Sequence, residues 1–267
     1  MSGQARRMGA SYRRARSRMV AWSLAAAWSV SLSASAGAGE VQVAVASNFT
    51  APMKEIAALF EKDTGHKALL AFGGSGKFYA QIKHGAPFEV LLSADDEIPG
   101  KLAREGAALG ASQFTYARGR LVLWSANPAL VDARAEVLRR GAFDHIAVAN
   151  PKLAPYGAAA VEVMQALGVH AALQARLVTG ENIGQTFQFV KSGNAALGFV
   201  ALSQVSRHGR IGEGSAWVVP ADLYRPIRQD AIMLKAGQGK PAAAALMKYL
   251  QGDKARAVIR AYGYDLE

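Results

Sequence analysis

The 267-residue sequence contains no cysteine. That excludes disulfides, iron–sulfur clusters, zinc–thiolate sites, a thiol nucleophile and a lipid-modified N-terminal cysteine. Acid is missing from the beginning of the chain: no Asp or Glu precedes Glu40, whereas Arg6, Arg7, Arg13, Arg14, Arg16 and Arg18 all do. Histidine is sparse, and the five, at positions 66, 84, 145, 170 and 208, form no i,i+4 pair and no cluster with acids. A histidine metal site therefore has no spacing to support it. Long apolar runs are scarce as well. The most apolar stretch, MVAWSLAAAWSVSL at 19–32, falls short of the ~18 residues that a membrane-spanning helix needs. There are no low-complexity linkers and no fixed-period repeats.

What is present at the beginning fits an export signal. A basic start, a short apolar run and the small-x-small sequence Ala34-Ser35-Ala36 read as a signal peptide over residues 1–36, cleaved near Ala36. The expected mature protein is soluble and periplasmic. The leader takes six of the 31 basic residues and none of the 20 acids, leaving 25 basic against 20 acidic side chains. That surplus suits the steering of a small anion. It is too diffuse for a nucleic-acid reader, and no basic stripe with interleaved aromatics accompanies it.

From Glu40 onwards short apolar strands alternate with amphipathic helices. VQVAVA (41–46), KALLAF (67–72) and FEVLLSA (88–94) read as strands, and 51–65 reads as a helix with Met53, Ile56, Leu59 and Phe60 on one face. The theme restarts near position 120. GRLVLWS (119–125), DHIAVAN (144–150), 195–205, AWVVP and PIRQDAIMLKAG are strands, with helices over 155–168, 181–193, 240–250 and 252–261. This is an α/β pattern of mostly parallel sheets with helices on both faces. The restart predicts two lobes, 40–119 plus 226–267 and 120–225, with hinge crossings near 118–122 and 222–226 and a ligand cleft between them.

The stretch AFGGSGKFYAQIKHG (71–85) is a glycine-rich strand-to-helix turn, the usual cradle for an anion. Its spacing fits no enzyme motif. A nucleotide P-loop needs a glycine where Ala71 stands and a hydroxyl where Phe78 stands. The dinucleotide fingerprint fails at Tyr79, and the hydrolase elbow fails at Lys77. Lys77 is expected to face solvent. The Asp95-Asp96-Glu97 trio reads as acids in a first helical turn rather than as a metal site.

Small polar residues recur where strands end and helices begin: Ser47 and Asn48, Ser75 within Gly74-Ser75-Gly76, Tyr156, and Asn182-Ile183. In open parallel sheets this is where ligands sit. Hydroxyls, amides and backbone N–H groups predominate there, with Glu181 expected toward solvent or the hinge. A set of donors suits a fully deprotonated dianion and offers no general base, so no catalytic residue is assigned and the protein is not expected to be an enzyme.

VAVASNFTAPMKEIAALFEKDTG, FGGSGKFYAQIKHGAPFEVLLSADDE, VANPKLAPYG and GENIGQTFQFVKSGNAALGFVALS together resemble the molybdate-binding periplasmic proteins of ABC importers, over the whole chain from about Val41. The resemblance implies a two-lobed periplasmic binding protein fold of type II that closes on molybdate or tungstate. It also implies a monomer that delivers the oxyanion to an inner-membrane permease and its ATPase, with no cofactor. By motif it carries the ligand set Ser47, Asn48, Ser75, Tyr156 and Ile183, the last through its backbone N–H. One departure matters. Where one branch of the family has a tyrosine after G-[FI]-V, this chain has Gly198-Phe199-Val200-Ala201, so the tyrosine hydroxyl is expected from Tyr156. The alternatives are a binding protein for another tetrahedral anion, sulfate above all, or a secreted hydrolase.

Overall fold

The structure is a computed structural model and describes residues 38–267; the expected signal peptide lies outside the described residues. The chain opens with β1 (Glu40–Ala46), α1 (Thr50–Thr64), β2 (Lys67–Gly73), α2 (Ser75–Lys83), β3 (Val90–Leu92), α3 (Glu97–Arg104) and β4 (Phe114–Gly119). It continues with β5 (Leu121–Ser125), α4 (Val137–Arg140), β6 (Ile146–Ala149), α5 (Pro155–Ala166), α6 (His170–Leu173), β7 (Leu177–Gly180), α7 (Ile183–Lys191), β8 (Leu197–Ala201) and α8 (Leu202–Val205). A small hairpin of β9 (Ser206–Arg207) and β10 (Arg210–Ile211) precedes β11 (Ser215–Val218), and β12 (Ile227–Met233), α9 (Pro241–Leu250) and α10 (Asp253–Ala261) complete the fold.

Two five-stranded sheets result, ordered β2-β1-β3-β12-β4 and β11-β5-β8-β6-β7. In each, four strands run one way and one runs against them: β12 in the first sheet and β5 in the second. Each reversed strand is the first that the chain lays down after crossing from the other sheet. The outward crossing is the single residue Arg120, and the return lies between Val218 and Ile227. Residues 119–125, expected as one strand, are divided at Arg120, and β4 before it was not expected. As an edge strand β4 is only partly covered, so it lacks the continuous apolar run that marks a buried strand.

Helices cover both faces of both sheets. Met53, Ile56 and Phe60 recur along one side of α1 and are fully buried against Val41, Val43 and Val45, in a core shared with α9 and α10. Phe78 of α2 and Leu102 of α3 cover the opposite face over Ala44 and Leu91. In the second sheet α5 packs Ala160, Val163 and Met164 on the side of Leu121, Leu123 and Phe199, while Val190 of α7 packs on the side of Val122, Trp124 and Ala147. Each large side chain so buried contributes about 1.5–3 kcal/mol. This packing brings the carboxyl ends of β1, β2 and β3 to face those of β6 and β7, where helices start on both sides.

Candidate functional site

Ser47, Asn48, Ser75, Tyr156 and Ile183 all line one small cavity between the two sheets. It has about 10 Å³ of room for the centre of a water-sized sphere, the scale of a single small particle. Larger cavities of about 540 Å³ and about 530 Å³ border it through shared residues, but neither gathers all five.

Helix starts aim at this cavity. Ser75 is the first residue of α2, Tyr156 the second of α5 and Ile183 the first of α7, so their N–H groups have no acceptor within their own helices. Pro155 suits the first turn of α5, where a missing N–H costs nothing. In α7 the Asn182 side chain accepts from the N–H groups of Gly184 and Gln185, which leaves that of Ile183 over. Three positive helix ends thus converge.

The two serines are set as donors by what they accept. Ser75 Oγ accepts from the Ala94 N–H at 2.9 Å, and Ser47 Oγ accepts from the Gly184 N–H at 3.2 Å across the cleft. Each hydroxyl keeps its own proton to donate.

Asn48 and Tyr156 stand differently from expectation. Both Nδ2 hydrogens of Asn48 are engaged, by Gln229 Oε1 at 2.7 Å and Tyr264 Oη at 2.9 Å, while its buried Oδ1 has no partner among the described residues. The hydroxyl of Tyr156 accepts from Gln229 Nε2 at 3.0 Å and lies against Gly119. Neither Gln229 nor Gly119 lines the cavity. The expected hydroxyl donor is therefore turned toward the crossing strands, and the group that Tyr156 holds at the helix start is its backbone N–H. Position 156 sits where the sequence puts it; its side chain is claimed by a residue 73 positions away.

Gly73, Gly74 and Ser75 of the glycine loop line the cavity, while the N–H of Gly76 is engaged elsewhere, donating to the carbonyl of Leu153 at 3.2 Å on the far side of the cleft. Lys77 is exposed, as expected, and lies 3.7 Å from Glu181 across the same gap. Asp95 accepts from the Ile98 N–H at 2.7 Å and so caps the start of α3, in keeping with the helical-turn reading of that acidic trio.

Burial governs the electrostatics. Asp95, adjoining Ala94 at the edge of the cavity, is pushed up to about 6 by desolvation, opposed by the Ile98 bond that favours its charged form. Burial, with mutual repulsion, drives the Tyr116 and Tyr156 hydroxyls well above their ordinary range, and burial raises Tyr264 too. All three remain neutral hydrogen-bonding groups. Sequence reasoning missed Gln229, Tyr264, Tyr116 and Ser203, the last of which donates its hydroxyl to the Asn48 carbonyl at 2.8 Å; the available signal was the polar run Arg228-Gln229-Asp230 between apolar residues of the strand at 227–233.

A sequence profile described as bacterial extracellular solute-binding protein matches residues 41–265. This chain belongs to that family. Among its relatives, the molybdate-binding protein ModA of Azotobacter vinelandii is 59% identical over 236 residues, 88% of this chain and 94% of that protein. ModA of Rhodobacter capsulatus is 55% identical, again over 88% of this chain, and over 92% of its own length. The solved Azotobacter vinelandii periplasmic molybdate-binding protein superposes with a TM-score of 0.82 at 44% identity, covering 85% of this chain and 99% of the other. The sulfate-binding protein SubI of Mycobacterium tuberculosis shares this solute-binding fold at 13% identity and a TM-score of 0.65, covering 85% and 86%.

Proposed function

We propose that this protein captures molybdate in the cleft between its two sheets and hands it to an ABC importer. The observation that carries the reading is the donor set of the small cavity: two serine hydroxyls whose oxygens already accept N–H bonds, and three helix starts with N–H groups to spare. Hydrogen bonds to a charged acceptor contribute ~1.5–3 kcal/mol each, so a handful holds a bare dianion without any arginine. The close relatives named for molybdate support that anion over sulfate, for which the likeness is one of fold alone.

In this reading the ligand set is Ser47, Asn48, Ser75, Tyr156 and Ile183, with Asn48, whose side-chain hydrogens are engaged, and Tyr156 both acting through their backbone N–H groups. Tungstate, a tetrahedral dianion of the same kind, binds as well. The segments 40–119 plus 226–267 and 120–225 are the lobes that close. The chain works as a periplasmic monomer after loss of residues 1–36, and its partners are a membrane permease and that permease's ATPase. The donor set contains no base to drive hydrolysis, which supports carriage rather than catalysis.

Calorimetric titration of the ligand-free protein with molybdate, tungstate, sulfate and phosphate tests this. Tight binding of the first two and none of the others is the expected result. Binding of sulfate alone overturns the assignment of ligand, and heat from none of them overturns the site.

A further inference from the structure

Gln229 is a polar residue in the middle of a buried strand, with no exposed surface. Its strand pairs with β4 in a register that slips between Gln229 and Asp230: Gln229 faces Ala117, Asp230 faces Thr115, and Tyr116 is the extra residue between them. A bulge of this kind re-aims side chains. Asp230 accepts from Gln113 and Thr115, each at 2.7 Å, while the amide of Gln229 is turned inward.

There both ends of the amide are engaged. Its Oε1 accepts from Asn48 Nδ2 at 2.7 Å and lies 3.0 Å from the Tyr116 hydroxyl, and its Nε2 donates to the Tyr156 hydroxyl at 3.0 Å. Asn48 belongs to the turn after β1 and Tyr156 to the first turn of α5, so one side chain holds a cavity residue from each side of the cleft. A β-carbon at Gly119 would collide with both the Tyr156 hydroxyl and Gln229 Nε2, so this contact requires glycine at the last residue of β4. The contact thus sits on the two strands that bracket the crossings.

We propose that Gln229 is a positioning residue for anion capture, its amide fixing Asn48 and the start of α5 at the spacing at which their N–H groups meet one small anion. This rests on the proposed oxyanion function and adds the device that sets the geometry of the site. An amide suits the place because it accepts and donates at once. A carboxylate would put a buried negative charge beside a bound dianion.

The test is titration of molybdate into wild type, Gln229→Met and Gln229→Glu, between about pH 6 and about pH 8, with the ligand-free melting temperature of each protein measured alongside. The titratable groups around the amide are the hydroxyls of Tyr116, Tyr156 and Tyr264 and the carboxylates of Asp230 and Asp95. All are common to the three proteins, so wild type supplies the baseline pH profile. The Met variant is expected to bind about 10- to 100-fold more weakly, the worth of one or two buried hydrogen bonds. The Glu variant is expected to lose affinity progressively with rising pH and to regain it at the acid end, where a neutral carboxyl replaces the amide. A merely structural residue would not give that acid rescue. Should the Met variant not fold, the pH profile of the Glu variant decides alone. Wild-type affinity with a wild-type pH profile overturns the proposal even if the melting temperature falls. A wild type that ignores molybdate in the same titration overturns the reading of function instead, and this proposal with it.

Discussion

The backbone N–H of Gly76 donates to the carbonyl of Leu153 at 3.2 Å, and a β-carbon on Gly76 would lie 3.2 Å from that same oxygen and from Leu153 Cα. The glycine in the loop therefore allows the two sides of the cleft to meet. Gly76→Ala is expected to prop them apart by a few tenths of an ångström and weaken molybdate binding by about 1 kcal/mol, roughly fivefold. In the proposed function, where closure retains the anion, stopped-flow kinetics should place the loss in the dissociation rate. An unchanged dissociation rate would show that the contact is dispensable.

Ser75→Ala removes a hydroxyl that accepts from Ala94 and has its proton left to donate. Affinity for molybdate is expected to fall about 10-fold or more, one charge-assisted hydrogen bond. Calorimetry at fixed pH reads this directly, and wild-type affinity would remove Ser75 from the ligand set.

Tyr156→Phe separates the two roles of that residue. The backbone N–H survives, whereas Gln229 Nε2 loses its buried acceptor. The variant should lose about 1–3 kcal/mol of stability in denaturant unfolding. Its affinity loss should be smaller than that of Ser75→Ala. A larger loss would mean that the hydroxyl contacts the anion after all.

Asp95 gives the fold a pH signature. Burial raises its folded value from 3.8 to about 6. Between those values the folded protein holds a proton that the unfolded chain has released, so this group's stabilising contribution is full below about 4 and is lost as the pH climbs to about 6. Asp95→Asn keeps an acceptor for the Ile98 N–H and removes the titration. The variant's melting temperature should fall less than that of wild type between pH 4 and pH 6, and its molybdate affinity should exceed that of wild type above pH 6. Parallel curves for the two proteins would count against the shift.

The positions that line the candidate cavity were legible because each belongs to a local pattern. Ser47, Ser75, Tyr156 and Ile183 all stand at switches from strand to helix, and such a switch shows in a dozen consecutive residues. What a side chain does once there depends on distant residues. The Tyr156 hydroxyl is turned by Gln229, Asn48 is held by Gln229 and Tyr264, and the N–H of Gly76 is taken by Leu153. The edge strand β4 went unread for a related reason, since its identity comes from pairing with β12, more than a hundred residues later.

The placement of β12 between β3 and β4 also bears on how the molecule is made. The first sheet cannot close around its core until the whole second sheet has left the ribosome, because its fourth strand in spatial order is the last in sequence. Its assembly is therefore late and dominated by non-local contacts, which slows folding. The first sheet therefore stays open until nearly the whole chain has been made, a useful delay if the protein is exported before folding, as the proposed function requires.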